Sequence, residues 1–206
     1  MIERRFVVAG LIGLLASACA SSSGFVSSWK SPTAKPLQVQ GSKVAAVVMM
    51  GDPASRKSAE DRLAGEITAH GAHGVPAYTI LEESATTDEA TAKAALQKAG
   101  VQGVVVVRPS KEDATGKPVD YSVPPYSSYW DSGFYAHGWG QPWIDPRGIP
   151  YDMVVTVDTL IYSLPQNQLV WAGKSKKTNP ATLNELVSDL ADDTADELNR
   201  LELVKK

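Results

Sequence analysis

Cysteine is nearly missing from this chain of 206 residues: there is one, Cys19. A single cysteine permits no internal disulfide, so the fold is not stapled oxidatively. An excess of positive charge is missing too. Twenty lysines and arginines stand against 23 carboxylates, a formal net charge of −3. Binding to nucleic acid needs a basic face to displace counterions, so that partner class is excluded. No hydrophobic run at the N-terminus is long enough to cross a bilayer, since Phe6–Ala16 spans only eleven residues and a core of about 30 Å takes about twenty. Motifs with mechanistic content are also lacking. No serine sits in a nucleophile elbow, and "GDPASRKS" (51–58) has too few glycines for a phosphate loop. The residues show no catalytic constellation, and the expectation is a protein that is not an enzyme and carries no cofactor or metal.

What is present begins at the N-terminus. Arg4 and Arg5 give a short basic start, Phe6–Ala16 an apolar segment, and "LLASAC" small residues before Cys19. This order predicts a signal peptide over residues 1–18. The stretch Leu15-Ala16-Ser17-Ala18-Cys19 resembles the lipobox of bacterial lipoproteins, with Ala16 where leucine is preferred. The resemblance implies cleavage before Cys19 and acylation of that residue. At about 0.8 kcal/mol per buried methylene, two or three acyl chains hold a protein on a membrane essentially permanently. Ala20, in place of a retaining aspartate, implies the outer membrane with the chain facing the periplasm. Removing Glu3, Arg4 and Arg5 leaves 18 basic and 22 acidic side chains.

Residues 19–42, rich in serine and proline, read as a lipidated tether, with Phe25 and Trp29 as apolar exceptions able to dock as an extended edge segment. A single domain is expected over 43–206. "KVAAVVMM" (43–50) is a buried strand by its continuous β-branched run. Asp52-Pro53 starts a helix with the stripe Ala59, Leu63 and Ile67, closed at Gly71. "VPAYTIL" (75–81) reads as a second strand, placed at an edge or strand start by Pro76. Thr86 and Glu89 form a capping box before the stripe Ala92, Ala95, Leu96 and Ala99, which ends at Gly100. "VQGVVVVR" (101–108) is the third strand, followed by an irregular stretch over 109–150. Strands over 153–163 and 168–177 then form a hairpin. Asn179-Pro180 opens a last helix with Leu183, Leu186, Val187, Leu190, Leu198 and Leu201 on one face. The fold class is α/β: βαβαβ, then a β-hairpin and a C-terminal helix, a mixed sheet packed with three helices.

The stretches "KVAAVVMMGDPASRKSAEDRLAGEI", "AGVQGVVVVR" and "VDTLIYSLPQNQLVWAGKSKK", with the terminal helix, resemble a group of periplasmic lipoprotein domains. The group includes the amino-terminal domain of TolB, the penicillin-binding-protein activator LpoB and the core of the curli secretion protein CsgG. The resemblance implies a largely non-enzymatic role through protein contacts at the envelope. This chain departs from the group in its aromatic insert, and it lacks the long amphipathic strand pairs that a CsgG-type pore requires.

Residues 121–151 hold nine of the fifteen aromatics. Three readings stay open: a satellite core folded over a sheet edge, a surface for a protein partner, or a stacking platform for glycan or peptidoglycan. The partner-binding candidates are Tyr129, Trp130, Tyr135, Trp139 and Trp143. Asp120, Asp131 and Asp145 among these rings keep a weak glycoside hydrolase open as the alternative, with a glycan or peptidoglycan ligand. His137 and Arg147 complete the polar residues of the insert. His70 and His73 have a spacing open to a metal with His137 as third ligand, but a histidine at position 70 is also favoured at a helix C-terminus.

Overall fold

The computed structural model describes residues 24–50, 52–81, 89–109, 154–178 and 180–205. The elements are β1 (Phe25–Lys30), β2 (Lys43–Val48), α1 (Pro53–Ala69), β3 (His73–Pro76), a 3₁₀ turn (Ala77–Thr79), α2 (Glu89–Lys98), β4 (Gly103–Pro109), β5 (Val154–Ser163), β6 (Gln168–Thr178) and α3 (Leu183–Arg200). One six-stranded sheet holds all the strands in the order β1-β6-β5-β4-β2-β3. β2 pairs parallel with β3 on one side and β4 on the other, while β4, β5, β6 and β1 follow in antiparallel sequence. The α/β class with a mixed sheet and a C-terminal helix is therefore observed.

Because β3 and β4 flank β2 on opposite sides, crossovers of one hand must run on opposite faces. Ala92 and Leu96 of α2 pack with Ala45, Val47, Val104 and Val106 on one face. On the other, Ala59 and Leu63 of α1 pack with Leu186 and Leu190 of α3 over Ala46, Val48 and Val107. The apolar stripes read from the sequence are these two contacts. Asp52 caps α1 by accepting from the Ser55 amide at 2.8 Å, and the left-handed Gly71 (φ +96°) and Gly100 (φ +73°) follow the ends of α1 and α2. Gly74 has a different reason to lack a side chain: a Cβ there would run into the backbone carbonyl of Ala64, so close approach of β3 to α1 requires glycine.

Three boundaries differ from the sequence reading. The strand expected over 75–81 is β3 at His73–Pro76, ending where Pro76 removes a ladder donor, and the chain then turns through Ala77–Thr79. Its edge position is as expected. The last helix is capped by Thr182, whose hydroxyl accepts from the Glu185 amide at 3.1 Å, rather than by Asn179; Thr182 and Glu185 have capping-box spacing, which wins over Asn179-Pro180. The tether expected over 19–42 already belongs to the fold from Phe25. β1 pairs with β6, and Phe25 and Trp29 both pack against the core. The rest of the segment is tied down by amide bonds such as Ser31 to Val170 and Leu37 to Leu203. The capping residues Thr86–Asp88 lie outside the described residues.

Candidate functional site

Cys19 and the aromatic candidates Tyr129, Trp130, Tyr135, Trp139 and Trp143 lie outside the described residues, as do Asp120, Asp131, His137, Asp145 and Arg147. The two stems of the insert are described, and they are neighbours. β4 and β5 are directly paired and antiparallel from Gly103↔Ser163 to Pro109↔Val157. The strands on either side of residues 110–153 in the sequence are therefore direct antiparallel neighbours.

Beside these stems lies a row of charge that the sequence reading did not single out. Arg108, Asp158 and Lys174 are direct register partners on three adjacent strands. Their nitrogens stand 3.6 Å and 3.7 Å from the Asp158 oxygens, and the Asp158 and Lys174 side chains are each 3% exposed. They share the face of Leu160 and Ala172. The available signal was parity: in a strand of period two, Asp158 falls on the core-facing set with Leu160 and Tyr162.

His70 is the C-cap of α1, as its helix-end reading implies. Its Nε2 lies 3.0 Å from Asp192 on α3, and Glu66 one turn back is held by Arg62 at 2.6 Å. Glu66, His70 and Asp192 bring ligand-type atoms within 4.8 Å of one another, and His73 is not among them. Glu66 is paired with Arg62, and His70 is hydrogen-bonded to Asp192, so the cluster reads as a bridge between α1 and α3.

Glu60 is a second group that sequence reasoning passed over, although it sits four residues before Ala64 on the packed side of α1. It is 1% exposed. Its two oxygens accept from the amides of Val48 (3.3 Å) and Tyr78 (2.9 Å), joining α1 to β2 and to the 3₁₀ turn. Burial pushes its carboxyl up from 4.5 to about 7, with those two bonds and Arg56 opposing the shift. Between these values the folded chain holds a proton that the unfolded chain has lost, so this group's contribution to stability falls as pH rises from 4.5 to 7. The swing is about 3 kcal/mol, and it is flat outside that window. Glu60→Gln should be less stable, because an amide nitrogen accepts no bond. It should also remove this part of the pH dependence in urea unfolding. A wild-type and variant pair with parallel pH profiles would show that Glu60 does not titrate there.

A cavity of about 720 Å³ lies between the sheet and the α1/α3 pair. Its walls include Val44 and Ile161 of the sheet, Leu63 and Ile67 of α1, and Leu190 and Leu198 of α3, with the segment 35–40 and the chain end at 204–205 on its outer side. The same strand faces are sealed further along, where Ala46, Val48 and Val157 have no exposure and Val107 has 1%. One step back, Val44 and Val105 are only half-buried. The space is open on its outer side, so it is a solvent-accessible recess and not a sealed void. The sequence could not show it, because its walls are the same residues that read as core.

No family model matches the chain, and no curated relative matches it. The chain is similar to several solved structures. The PelC dodecamer from Paraburkholderia phytofirmans shares 17% identity over 87% of this chain and 99% of that one, with a TM-score of 0.47. Lipoprotein GNA1162 from Neisseria meningitidis shares 14% identity over 76% of this chain and 99% of that one, with a TM-score of 0.39. Among the described residues, no helix is long and apolar enough to cross a membrane.

Proposed function

We propose that the chain is a non-catalytic bacterial lipoprotein, acylated at Cys19, held at the outer membrane and facing the periplasm. It acts there as an envelope adaptor or assembly factor through protein contacts, in the manner implied by its resemblance to the TolB, LpoB and CsgG-core group. Its recognition element is the aromatic insert, with Tyr129, Trp130, Tyr135, Trp139 and Trp143 as the contact residues. The observation that carries this reading is the direct pairing of β4 with β5. A two-residue turn can join such strands, so their pairing does not require a segment as long as residues 110–153, and a loop of that length in a compact domain is usually functional or disordered. Trp and Tyr supply contact area at low side-chain entropy cost.

Replacing residues 125–146 by a short Gly-Ser link should leave the melting temperature within about 4 °C of wild type, a shift worth roughly 1 kcal/mol in a domain of this size. The shortened protein should lose its partner in pull-downs from envelope extracts. A sharp fall in melting temperature would identify the rings as core. Retention of every partner would remove the insert from recognition, and capture of peptidoglycan sacculi alone would favour the glycan reading. Mass spectrometry of membrane-purified protein should find a diacylglyceryl group on Cys19. A Cys19→Ala variant that stays membrane-bound without lipid would end the anchor part of the reading.

A further inference from the structure

The cavity beneath α1 and α3 has a chemical character that specifies an occupant. Its inner wall is largely aliphatic, formed by Val44, Leu63, Val105, Ile161, Leu190 and Leu198, and two of its polar groups are bonded elsewhere. The Thr194 hydroxyl bonds back to the Leu190 carbonyl at 2.6 Å, and the Gln102 side-chain oxygen is taken by the Ser42 hydroxyl at 2.8 Å. The Thr159 hydroxyl is buried and has no hydrogen-bond partner among the described residues. Two lysines, Lys35 and Lys205, line the cavity, and among the described residues no carboxylate does, in a chain whose net charge is −3. Lys35 and Lys205 are exposed at its outer side. Segment and chain end are bonded to each other there, with the Lys205 amide donating to the Leu37 carbonyl, so the two lysines share one rim.

We propose that this cavity binds a single-chain anionic amphiphile: one acyl chain lies along Val44, Val105 and Ile161, and its carboxylate or phosphate is held at the rim by Lys35 and Lys205. The volume is in the range of pockets that enclose small ligands, about 300–1,000 Å³. The proposal is independent of the aromatic insert: the head-group lysines, Lys35 and Lys205, belong to other parts of the chain.

The test uses the full chain, freed of bound lipid on a hydrophobic resin, and an anthroyloxy-labelled palmitate as the fluorescent probe. Wild type should bind one probe saturably, with native mass spectrometry giving the same stoichiometry. Unlabelled palmitate and lysophosphatidylglycerol compete for it; the better competitor identifies carboxylate or phosphate as the preferred head, and either supports the site. Val105→Phe fills the cavity and should weaken binding at least about tenfold without lowering the melting temperature. Val44→Phe repeats that test at a second wall position in case the first variant fails to fold. Lys35→Glu with Lys205→Glu should weaken palmitate and leave hexadecanol, which has no charge, unaffected. No saturable binding to wild type would overturn the proposal. So would binding that is unchanged in a folded, cavity-filled variant, because the probe would then sit on the surface.

Discussion

An Asp158→Ala variant should lose about 3–5 kcal/mol of stability, the usual consequence of removing one member of a buried ion pair. Asp158 is the only carboxylate in the row Arg108–Asp158–Lys174, and each neighbour faces it in register across the sheet. At 3.6 Å and 3.7 Å the contacts are too long for good hydrogen bonds, so the attraction is mainly coulombic. With both Asp158 and Lys174 only 3% exposed, solvent screens it weakly. Deleting the carboxylate removes the anion that faces both Arg108 and Lys174 across the sheet, and that attraction is lost from the folded state alone. Urea unfolding of the full chain measures the change. The double variant Asp158→Ala with Lys174→Met should recover part of it, since one of the two cations that faced the carboxylate is then gone and a methionine stem occupies the space. A single-variant loss below about 1 kcal/mol would mean that the row is already neutralised by other groups and does not fix the register at the insert's stems.

Trp171→Ala should be of similar size, about 3–5 kcal/mol. Trp171 is fully buried on β6 and meets Phe25 of β1 edge-to-face, with ring centroids 4.9 Å apart at 82°. Gly173 makes room for this pair, because a Cβ at that position would run into both rings. Removing the indole leaves a void and takes away the main apolar contact of the first strand. β1 is also an edge strand paired only with β6, so its amides should lose hydrogen-exchange protection before those of β5. Phe25→Ala should give a smaller loss, and the two together should fall short of additivity by about 0.5–1.5 kcal/mol, the coupling of an aromatic pair. Unchanged protection of residues 26–30 in Trp171→Ala would show that β1 is held by its ladder alone.

β1 illustrates where the sequence stops. Its residues, "FVSSWK", alternate too little to announce a strand, and Ser27 and Ser28 suit a tether as well as a sheet. What makes it a strand is the free edge of β6 and the Trp171 ring beside it, both supplied from the far end of the chain. Thr182 rather than Asn179 as the helix cap is a smaller case of the same limit: both are good caps, and packing of Leu186 and Leu190 selects the start.

The rest of the architecture was written in local patterns. The β-branched runs, the four-residue stripes of α1 and α3, the helix-ending glycines and Asp52-Pro53 each act over a few residues, so the sequence by itself determined the strands, the helices and their order. Lipobox resemblance and aromatic clustering are local in the same way. Tertiary structure alone decided the features with chemical content. Glu60 carries a raised pKa because β2 and the 3₁₀ turn close over it and exclude water. Arg108, Asp158 and Lys174 form a row only through strand register. Lys35 and Lys205 reach one rim only because the segment before β2 pairs with the end of the chain. Periodicity reports which face of an element is buried; burial against a particular partner, and a space left between partners, exist only once distant segments meet.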